Sequence, residues 1–184
     1  GDAEDVYGAL DTYRKKPESL REVLLSAGKF GSDENPATCT AKVGLASHPV
    51  MRKSPYAGML VNGAGRPMDL DAAAPTLPAT MGGNKTPIVD QRALDNPGVG
   101  NWFVGYHRRL TDGTVSPEDE SVPSFIRRLT INEAAAVQTF PRDYIFGGAK
   151  TKQYKQIGNA VPCGLAEAMA RAIYDSFFSS SMRP

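Results

Sequence analysis

Two short stretches near the end of the chain combine residue types that could bind a small molecule and stabilise the surrounding fold. The second of them, residues 154–162, reads Tyr-Lys-Gln-Ile-Gly-Asn-Ala-Val-Pro. Gly158 lets the main chain approach a ligand closely because it has no Cβ, and Asn159 offers both a hydrogen-bond donor and an acceptor. Pro162 suits the first turn of a helix, where its missing amide is not needed. By themselves these residues favour a plain Gly-Asn turn before a helix, and a ligand contact beside the helix start is the alternative.

The first stretch, residues 127–141, reads Arg-Arg-Leu-Thr-Ile-Asn-Glu-Ala-Ala-Ala-Val-Gln-Thr-Phe-Pro. Thr130 and Glu133 have the spacing of a capping box, in which the hydroxyl and the carboxylate each bond a free amide at a helix start. This spacing predicts a short helix through Thr139, and Pro141 ends it. We interpret three polar residues of the stretch as structural groups rather than chemical participants: Arg127, Glu133 and Gln138.

Taken together, the two stretches resemble the last two conserved blocks of the DNA cytosine-5 methyltransferases. That family writes the first block as R-x-L-T-x-R-E-x-A-R-L-Q-G-F-P and the second as Y-x-Q-x-G-N-A-V-P-P. The residues that fall on the first pattern are Arg127, Leu129, Thr130, Glu133, Ala135, Gln138, Phe140 and Pro141. Those that fall on the second are Tyr154, Gln156, Gly158, Asn159, Ala160, Val161 and Pro162.

The resemblance implies methyl transfer from S-adenosylmethionine to carbon 5 of a cytosine that is flipped out of duplex DNA. This reaction needs a thiolate that attacks carbon 6 and an acid near ring nitrogen 3. The family carries these groups and its cofactor loop in Pro-Cys-Gln, Glu-Asn-Val and Phe-x-Gly-x-Gly motifs, none of which occurs in this sequence. Neither Cys39 nor Cys163 is flanked as the nucleophile would be, so we assign no catalytic residue. We expect the chain to be inactive alone and to need a catalytic N-terminal half or a separate catalytic subunit.

For the cofactor, the resemblance implies that Asn159 and the backbone of Ala160 contact S-adenosylmethionine. Residues 74–85 resemble the family's target-recognition region, in which a Thr-Leu pair precedes a Gly-Gly loop. The implied roles are that Thr76 bonds a phosphate beside the flipped nucleotide and that the glycine loop enters the major groove. Glycine suits that position because the main chain must approach the base edges.

The turn at residues 62–66 is predicted to be a second recognition loop on the same side, and a plain hairpin turn is the alternative. Arg66 and Lys85 are the best-suited contacts, because a guanidinium pairs bidentately with guanine and an ammonium suits phosphate. The predicted DNA-contacting residues are therefore Thr76, Leu77, Gly82, Gly83, Lys85, Gly63 and Arg66.

The composition is compatible with DNA binding. The net charge is only +1, but residues 36–110 carry eight basic and four acidic residues, which permits a basic surface. The candidates for that surface are Arg52, Lys53, Arg66, Lys85, Arg108, Arg109 and Arg127. The two cysteines have no ligand-like spacing to either histidine, so neither a metal site nor a disulfide is predicted.

No apolar run approaches the roughly 20 residues of a membrane span, and no signal-peptide pattern opens the chain. Secretion is therefore not indicated. The resemblance implies a bacterial protein of the cytoplasm, associated with the nucleoid, of the kind found in restriction–modification systems. Because the chain begins with Gly1 and not with methionine, we also expect it to be a piece of a longer protein.

The remaining segments predict the elements that must position these residues. Apolar spacing predicts helices within residues 4–28, interrupted near Pro17 and ended by Gly28. Strands are predicted at 40–45, 56–61, 66–70, 86–90 and 102–106, with an acidic surface loop at 116–120. A terminal helix after Pro162 carries an apolar stripe of Leu165, Met169, Ile173 and Phe177.

These elements predict an α+β fold with three parts. Residues 1–39 form a helical linker or packing segment, 40–125 a small mixed target-recognition domain, and 126–184 the final blocks and helices of a Rossmann-like catalytic domain. We expect the apolar stripe to be exposed and to favour self-association. Two alternatives remain: a non-catalytic, sequence-specific DNA-binding subunit, and a structural remnant without DNA affinity.

Overall fold

The computed structural model describes residues 3–178, so the first two residues of the segment predicted at 1–39 and the last six of the segment predicted at 126–184 lie outside the described residues. Helices and short strands are mixed along the chain, which agrees with the predicted α+β class. The helices are α1 (Ala3–Asp11), α2 (Leu20–Ser26), α3 (Gln91–Asp95), α4 (Trp102–Thr111), α5 (Ile131–Val137), α6 (Lys150–Asn159) and α7 (Cys163–Phe178). The strands are β1 (Leu45–Val50), β2 (Met59–Val61), β3 (Ile88–Asp90) and β4 (Ile126–Arg128).

The strands form two antiparallel pairs. In the first, β1 pairs with β2, and Leu45 lies opposite Val61. In the second, β3 pairs with β4, which brings the middle of the chain beside the first signature. The strand predicted at 40–45 lies later, at β1, and the strand predicted at 56–61 shortens to β2.

The prediction of a strand at 66–70, which would pair back after the turn at 62–66, is wrong. This segment forms only a parallel bridge between Pro67 and Ile88 of β3. Pro67 has no amide to donate to a ladder. Its neighbours bond β3 instead, because Ile88 N donates to Arg66 O at 2.9 Å and Met68 N donates to Ile88 O at 2.9 Å. The turn therefore leads from β2 to β3 and does not close a hairpin.

The strand predicted at 102–106 is also wrong, because this segment is the start of α4. Asn101 caps the helix through its side-chain oxygen, which accepts from Phe103 N at 3.1 Å. A carboxylate oxygen of Asp90 accepts from Trp102 N at 2.9 Å. Phe103 and Tyr106 are both fully buried, as expected for positions three apart on one helix face.

The predicted helical segment at 4–28 forms two helices, α1 and α2. Ser19 and Glu22 make a capping box at the start of α2, and Gly28 follows its end with a positive φ of 95°. The helix α1 packs against α7, and the Tyr13 hydroxyl just beyond α1 donates to Asp175 of α7. The two ends of the described chain are therefore joined.

Buried apolar side chains form two clusters that meet at β3. The larger cluster joins α2, α3, α5 and α6 and contains Leu20, Leu24, Met68, Leu70, Leu77, Met81, Val89, Ala93, Leu94, Leu129, Ile131, Ala134, Ala135, Tyr154 and Ile157. The smaller cluster packs α4 against three strands and contains Leu60, Val61, Ile88, Phe103, Tyr106 and Ile126. Ile88 and Val89 belong to different clusters because successive side chains of a strand face opposite sides.

The terminal helix α7 begins directly after Pro162, as predicted, and the Pro162 carbonyl accepts from Ala166 N at 3.0 Å. The four residues of its apolar stripe are between 43% and 49% exposed: Leu165, Met169, Ile173 and Phe177. Within residues 3–178, none of the helices has the length and apolar character that crossing a bilayer requires.

Candidate nucleic-acid interface and cofactor contact

The two predicted recognition loops lie against each other. Gly65 N donates to Asn84 O at 2.9 Å, which joins the turn at 62–66 to the Gly-Gly loop. Gly63 has a φ of 76°, and a Cβ there would lie 2.4 Å from Asn84 O. A Cβ on Gly65 would lie 2.2 Å from Thr86 O. Both glycines are therefore required by the close approach of the two loops.

The side chains predicted to contact DNA have different environments. Thr76, Arg66 and Lys85 are exposed, and within residues 3–178 neither basic side chain forms an ion pair. A Cβ on Gly83 would meet open space, so this part of the loop has room for a ligand. The prediction for Leu77 is corrected, because its side chain is buried in the larger cluster and anchors the segment from inside.

The segment that carries Thr76 is seated on α6. A Cβ on Gly158 would lie 2.5 Å from Pro78 O and 2.8 Å from the Cα of Ala79. Gly158 therefore permits α6 to contact the segment of residues 74–85, which we call the recognition segment. The sequence alone suggests instead that this glycine lets the backbone approach a ligand. Since α6 extends to Asn159, the plain Gly-Asn turn is wrong as well.

The residues predicted to contact the cofactor follow at the end of α6. The exposed Asn159 donates through Nδ2 to Lys155 O at 2.8 Å, which leaves its side-chain oxygen available as an acceptor. Ala160 N donates to Ile157 O at 3.2 Å, and Ala160 O accepts from Gln138 Nε2 at 3.3 Å. The side chain of Asn159 can therefore receive a ligand donor, whereas both backbone groups of Ala160 already have partners.

The first signature holds the second one in place through Gln138 and Thr139. Gln138 is buried, and its Nε2 also donates to Ile157 O at 3.0 Å. Its carbonyl accepts from Cys163 N at 3.1 Å, and the Thr139 hydroxyl accepts from Gly164 N at 2.7 Å. The end of α5 therefore fixes both the end of α6 and the beginning of α7.

Arg127 and Glu133 form a buried ion pair. Arg127 Nη1 and Nη2 donate to the two carboxylate oxygens of Glu133 at 2.7 and 2.6 Å. The capping box at Thr130 is confirmed, since its amide donates to Glu133 at 2.9 Å and its hydroxyl accepts from the Glu133 amide. Asn35 Nδ2 also donates to this carboxylate at 3.3 Å. The arrangement fits the structural role predicted for the pair.

The proposed basic surface is correspondingly smaller than predicted. Arg127 is removed from it by the buried pair with Glu133. Arg109 is bonded to Glu120, whose carboxylate oxygen accepts from its Nε at 2.9 Å and its Nη2 at 2.5 Å. The other candidates are exposed side chains: Arg52, Lys53, Arg66, Lys85 and Arg108.

Sequence reasoning missed Arg128, which is only 3% exposed. It follows Arg127 in β4, and successive side chains of a strand face opposite sides. The guanidinium of Arg128 therefore points away from Glu133 and bonds the recognition loops, for example Thr86 O at 2.8 Å from Nη1. Burial lowers the pKa of Arg128 from its ordinary value. Two adjacent arginines in a strand were the available signal, but the family pattern has no fixed residue at this position.

Sequence reasoning also missed the role of Tyr154 beyond its match to the pattern. Its hydroxyl donates to Leu129 O at 2.7 Å and lies 2.9 Å from the hydroxyl of Thr38. Burial raises the pKa of Tyr154. Tyr154 thus links α6 to the first signature.

The chain matches the C-5 cytosine-specific DNA methylase family over residues 74–175, which is more than half of its length. The chain belongs to this family. The match includes the Gly-Gly loop, the buried Arg127–Glu133 pair and the end of α6, and it confirms the resemblance seen in the sequence.

Several curated relatives are named Type II methyltransferases. M.AgeI of Thalassovita gelatinovora is 31% identical over 160 residues, which cover 84% of this chain and 37% of the relative. M.Eco47II of Escherichia coli is 34% identical over 94 residues, which cover 50% of this chain and 20% of the relative. M.NgoMIV of Neisseria gonorrhoeae is 52% identical over 75 residues, covering 39% and 21%. The chain thus spans well under half the length of these relatives, and no solved structure matches it.

Proposed function

We propose that this chain is the C-terminal DNA-recognition portion of a bacterial DNA (cytosine-5)-methyltransferase. The whole enzyme would transfer a methyl group from S-adenosylmethionine to carbon 5 of a flipped cytosine in duplex DNA. The family match over residues 74–175 supports the enzyme class. The observation that carries the recognition role is the bond from Gly65 N to Asn84 O at 2.9 Å, which joins the turn at 62–66 to the Gly-Gly loop. These loops expose Arg66 and Lys85, which have no ion-pair partner in the described part of the chain.

At the DNA, some residues of the two loops would contact phosphates and others would contact base edges. Lys85 and Thr76 would bond phosphate oxygens, since an ammonium and a hydroxyl both donate to them. Arg66 would pair with a guanine edge in the major groove, which a guanidinium can do bidentately. The main chain at Gly83 would approach the bases, because nothing lies near a Cβ built there. Gly82 instead packs against α6, since a Cβ on it would lie 3.1 Å from the Cα of Thr151.

At the cofactor, Asn159 would bind through its side-chain oxygen, which has no intramolecular donor among the described residues. Gln138 would fix the position of Ala160 beside it, since it donates to the Ala160 carbonyl at 3.3 Å. S-adenosylmethionine, when bound, supplies the methyl group. The reactive thiolate would come from a catalytic N-terminal half or a separate catalytic subunit, whose Rossmann-like sheet would receive α7.

We assign residues 40–125 to target recognition and residues 126–184 to the catalytic domain, with residues 1–39 as a packing segment. The bacterial origin of the relatives supports a cytoplasmic protein that works on the nucleoid. Packing of α2 against α5 supports the assignment of residues 1–39 as a packing segment, because it places this segment on the first signature.

Salt-dependent DNA binding tests the recognition role. We expect the affinity for a fluorescent duplex of mixed sequence to fall steeply between about 50 and about 200 mM salt, because phosphate contacts release counterions. Lys85→Ala, which removes a proposed phosphate contact, should reduce the slope of log affinity against log salt by about 1, whereas Arg66→Ala, which removes the proposed guanine contact, should relax the preference among duplex sequences. Arg14→Ala, which removes a remote exposed arginine, is the matched control. Binding that does not respond to salt, or no binding at all, would identify a structural remnant.

Complementation tests the cofactor role. The chain would be mixed with the part of M.AgeI that lies outside the matched region, and methylation would be followed with radiolabelled S-adenosylmethionine. We expect the wild-type mixture to methylate DNA. The Asn159→Ala variant should methylate more weakly at low cofactor concentration, while its DNA binding persists. Lys155→Ala, one turn earlier on α6, keeps the backbone carbonyl that Asn159 bonds and serves as control. Salt-dependent binding without any methylation would instead favour the non-catalytic DNA-binding subunit.

A further inference from the structure

The guanidinium of Arg128 is surrounded by oxygens from three separate chain segments. Its Nε donates to Ala41 O at 3.1 Å, and its Nη1 donates to Asn84 O at 3.1 Å and Thr86 O at 2.8 Å. Its Nη2 lies 3.4 Å from Lys42 O, 3.5 Å from Asn62 O and 3.3 Å from Asn62 Oδ1. One side chain therefore bonds the end of β2, the Gly-Gly loop and the strand-free segment before β1.

These acceptors are all neutral. In residues 3–178, the Arg128 side chain ends on carbonyl and amide oxygens and forms no ion pair with a carboxylate. A buried cation costs free energy unless its donors are satisfied, and here several segments together satisfy them. Lysine could not replace this arrangement, because its three donors radiate from one point whereas arginine has five in a planar fork.

The position of Arg128 coincides with the junction of the recognition loops. A Cβ on Gly65 would lie only 2.6 Å from Arg128 Nη1, so the guanidinium fills the space beside the Gly65–Asn84 bond. Asn62 is held on its other side, because its amide donates to Gly44 O at 2.8 Å and its Oδ1 accepts from Gly44 N at 2.9 Å. Removing the guanidinium would leave the turn held to the Gly-Gly loop by the bond from Gly65 N to Asn84 O and, just beyond the loop, by the bond from Ile88 N to Arg66 O.

We propose that Arg128 is a positioning residue for sequence recognition, which fixes the two DNA-facing loops in one mutual arrangement without touching DNA itself. This inference rests on the proposed function of those loops. Arg66 ends the turn at 62–66 and Lys85 follows the Gly-Gly loop, so the junction that Arg128 bonds lies between the segments that carry these two side chains. Loops that are already ordered lose less conformational entropy on binding, and they present their contacts to one base sequence rather than to many.

Amide hydrogen exchange without DNA tests the hold of Arg128 on the loops. The variants are Arg128→Met, which removes the donors, and Arg128→Lys, which keeps the charge; Arg14→Met is the matched control. We expect the amides of Gly65 and Asn62 to exchange at least about tenfold faster in both Arg128 variants, because local opening becomes easier. The amide of Ala134 in α5, which bonds Thr130 O at 3.0 Å, should be unchanged.

Three results of the exchange experiment would overturn the proposal. Equal acceleration at Gly65 and Ala134 would show that Arg128 acts only on global stability. Unchanged exchange at Gly65 would show that the loops do not need it. Wild-type exchange in Arg128→Lys would show that the charge alone suffices and that the fork geometry is irrelevant. Should Arg128→Met not fold, Arg128→Gln takes its place, since it retains an amide donor group.

Selection from a randomised duplex pool tests the consequence for recognition. We expect the wild-type chain to enrich a defined set of sequences, and Arg128→Met to reduce that enrichment about tenfold while affinity for mixed-sequence duplex stays within about twofold. Wild-type enrichment in Arg128→Met would refute the proposal. If the wild-type chain itself enriches nothing, the proposed DNA-recognition function fails, and the exchange data still decide separately whether Arg128 holds the loops.

Discussion

At the scale of single residues, Glu133 is a carboxylate that is only 1% exposed, so its charge is stabilised by protein donors and not by water. Glu133→Ala leaves the Arg127 guanidinium buried without its counter-ion and removes half of the capping box. We expect the free energy of unfolding to fall by about 3 kcal/mol or more, which is typical when one member of a buried ion pair is removed. Urea unfolding followed by circular dichroism measures this.

The matched control is Glu167→Ala in α7. Glu167 pairs with Arg171 at 2.8 Å, but both side chains are more than half exposed. Its loss should change the free energy of unfolding by no more than about 0.5 kcal/mol. Equal effects of the two substitutions would contradict the structural importance assigned to the buried pair.

Tyr154 gives the chain a dependence on alkaline pH. Burial raises its pKa above the ordinary 10.0, so the folded state keeps the phenol protonated while the unfolded state ionises. The resulting stabilisation is fully present below about pH 10 and is lost as the pH rises towards the folded pKa. Tyr154→Phe should therefore lose less stability than the wild type between about pH 9 and about pH 11.

The comparison must be a difference between variants, because burial also raises the pKa of Tyr56, to about 12, and that of Tyr106. At neutral pH, Tyr154→Phe should cost about 1 kcal/mol through the lost bond to Leu129 O. The exposed Tyr7→Phe is the control. Parallel pH profiles of the Tyr154→Phe variant and the wild type would count against this account.

At the scale of elements, Gly158 decides how α6 meets the recognition segment. Gly158→Ala should improve the helix propensity of α6 and yet destabilise the chain by about 2 kcal/mol, because the added methyl meets backbone atoms of Pro78 and Ala79. Gly105→Ala in α4 is the matched control, since its methyl would meet only the flexible end of Arg109 at 3.4 Å. This control should stabilise the chain by about 0.5 kcal/mol. Thermal unfolding of both variants checks the difference in sign.

The elements also show which part of the fold the sequence could predict. The capping box of α5 was predicted, because its chemistry is local, within three residues. The capping box of α2 has the same local spacing, between Ser19 and Glu22, but was not predicted. The start of α4 was not, because its aromatic run fits a strand equally well, and the cap involves Asp90, twelve residues earlier. The hairpin after the glycine-rich turn was predicted wrongly because Pro67 pairs with β3, which no local pattern reveals.

The same limit applies to the candidate site. The family pattern located Arg127, Glu133, Gln138 and Asn159, since each stands at a fixed place in a signature. It could not locate Arg128, whose acceptors are spread from residue 41 to residue 86. The family pattern also could not show that the Leu77 side chain is buried, because that side chain packs in a cluster with residues of α6 that are distant in sequence.

At the scale of the whole molecule, α7 presents an apolar face that α1 covers only in part. Ala172 is fully buried, whereas the stripe of Leu165, Met169, Ile173 and Phe177 is nearly half exposed. We expect the chain to self-associate at micromolar concentration, because exposed apolar stripes of this kind associate in water. Ile173→Lys should shift the sedimentation profile towards the monomer.

Val104→Lys is the matched control, because Val104 is equally exposed, at 43%, on the separate helix α4. It should leave the sedimentation profile unchanged. A wild-type chain that remains monomeric throughout the concentration series would refute the prediction. In the proposed whole enzyme, the same face would be covered by the catalytic half, so the full-length protein should not respond to Ile173→Lys by changing its oligomeric state.

The adjacent arginines of β4 have a consequence for how this protein can change in evolution. Arg127 serves the ion pair on one side of the strand and Arg128 the loops on the other, so a one-residue insertion between Phe125 and Arg127 would exchange their destinations. Each guanidinium would then meet the wrong neighbours. Added or deleted residues at 113–119, in the exposed loop before β4, would leave that alternation intact. Length variation among descendants of this chain should therefore accumulate in the loop and be absent from the three residues of the strand.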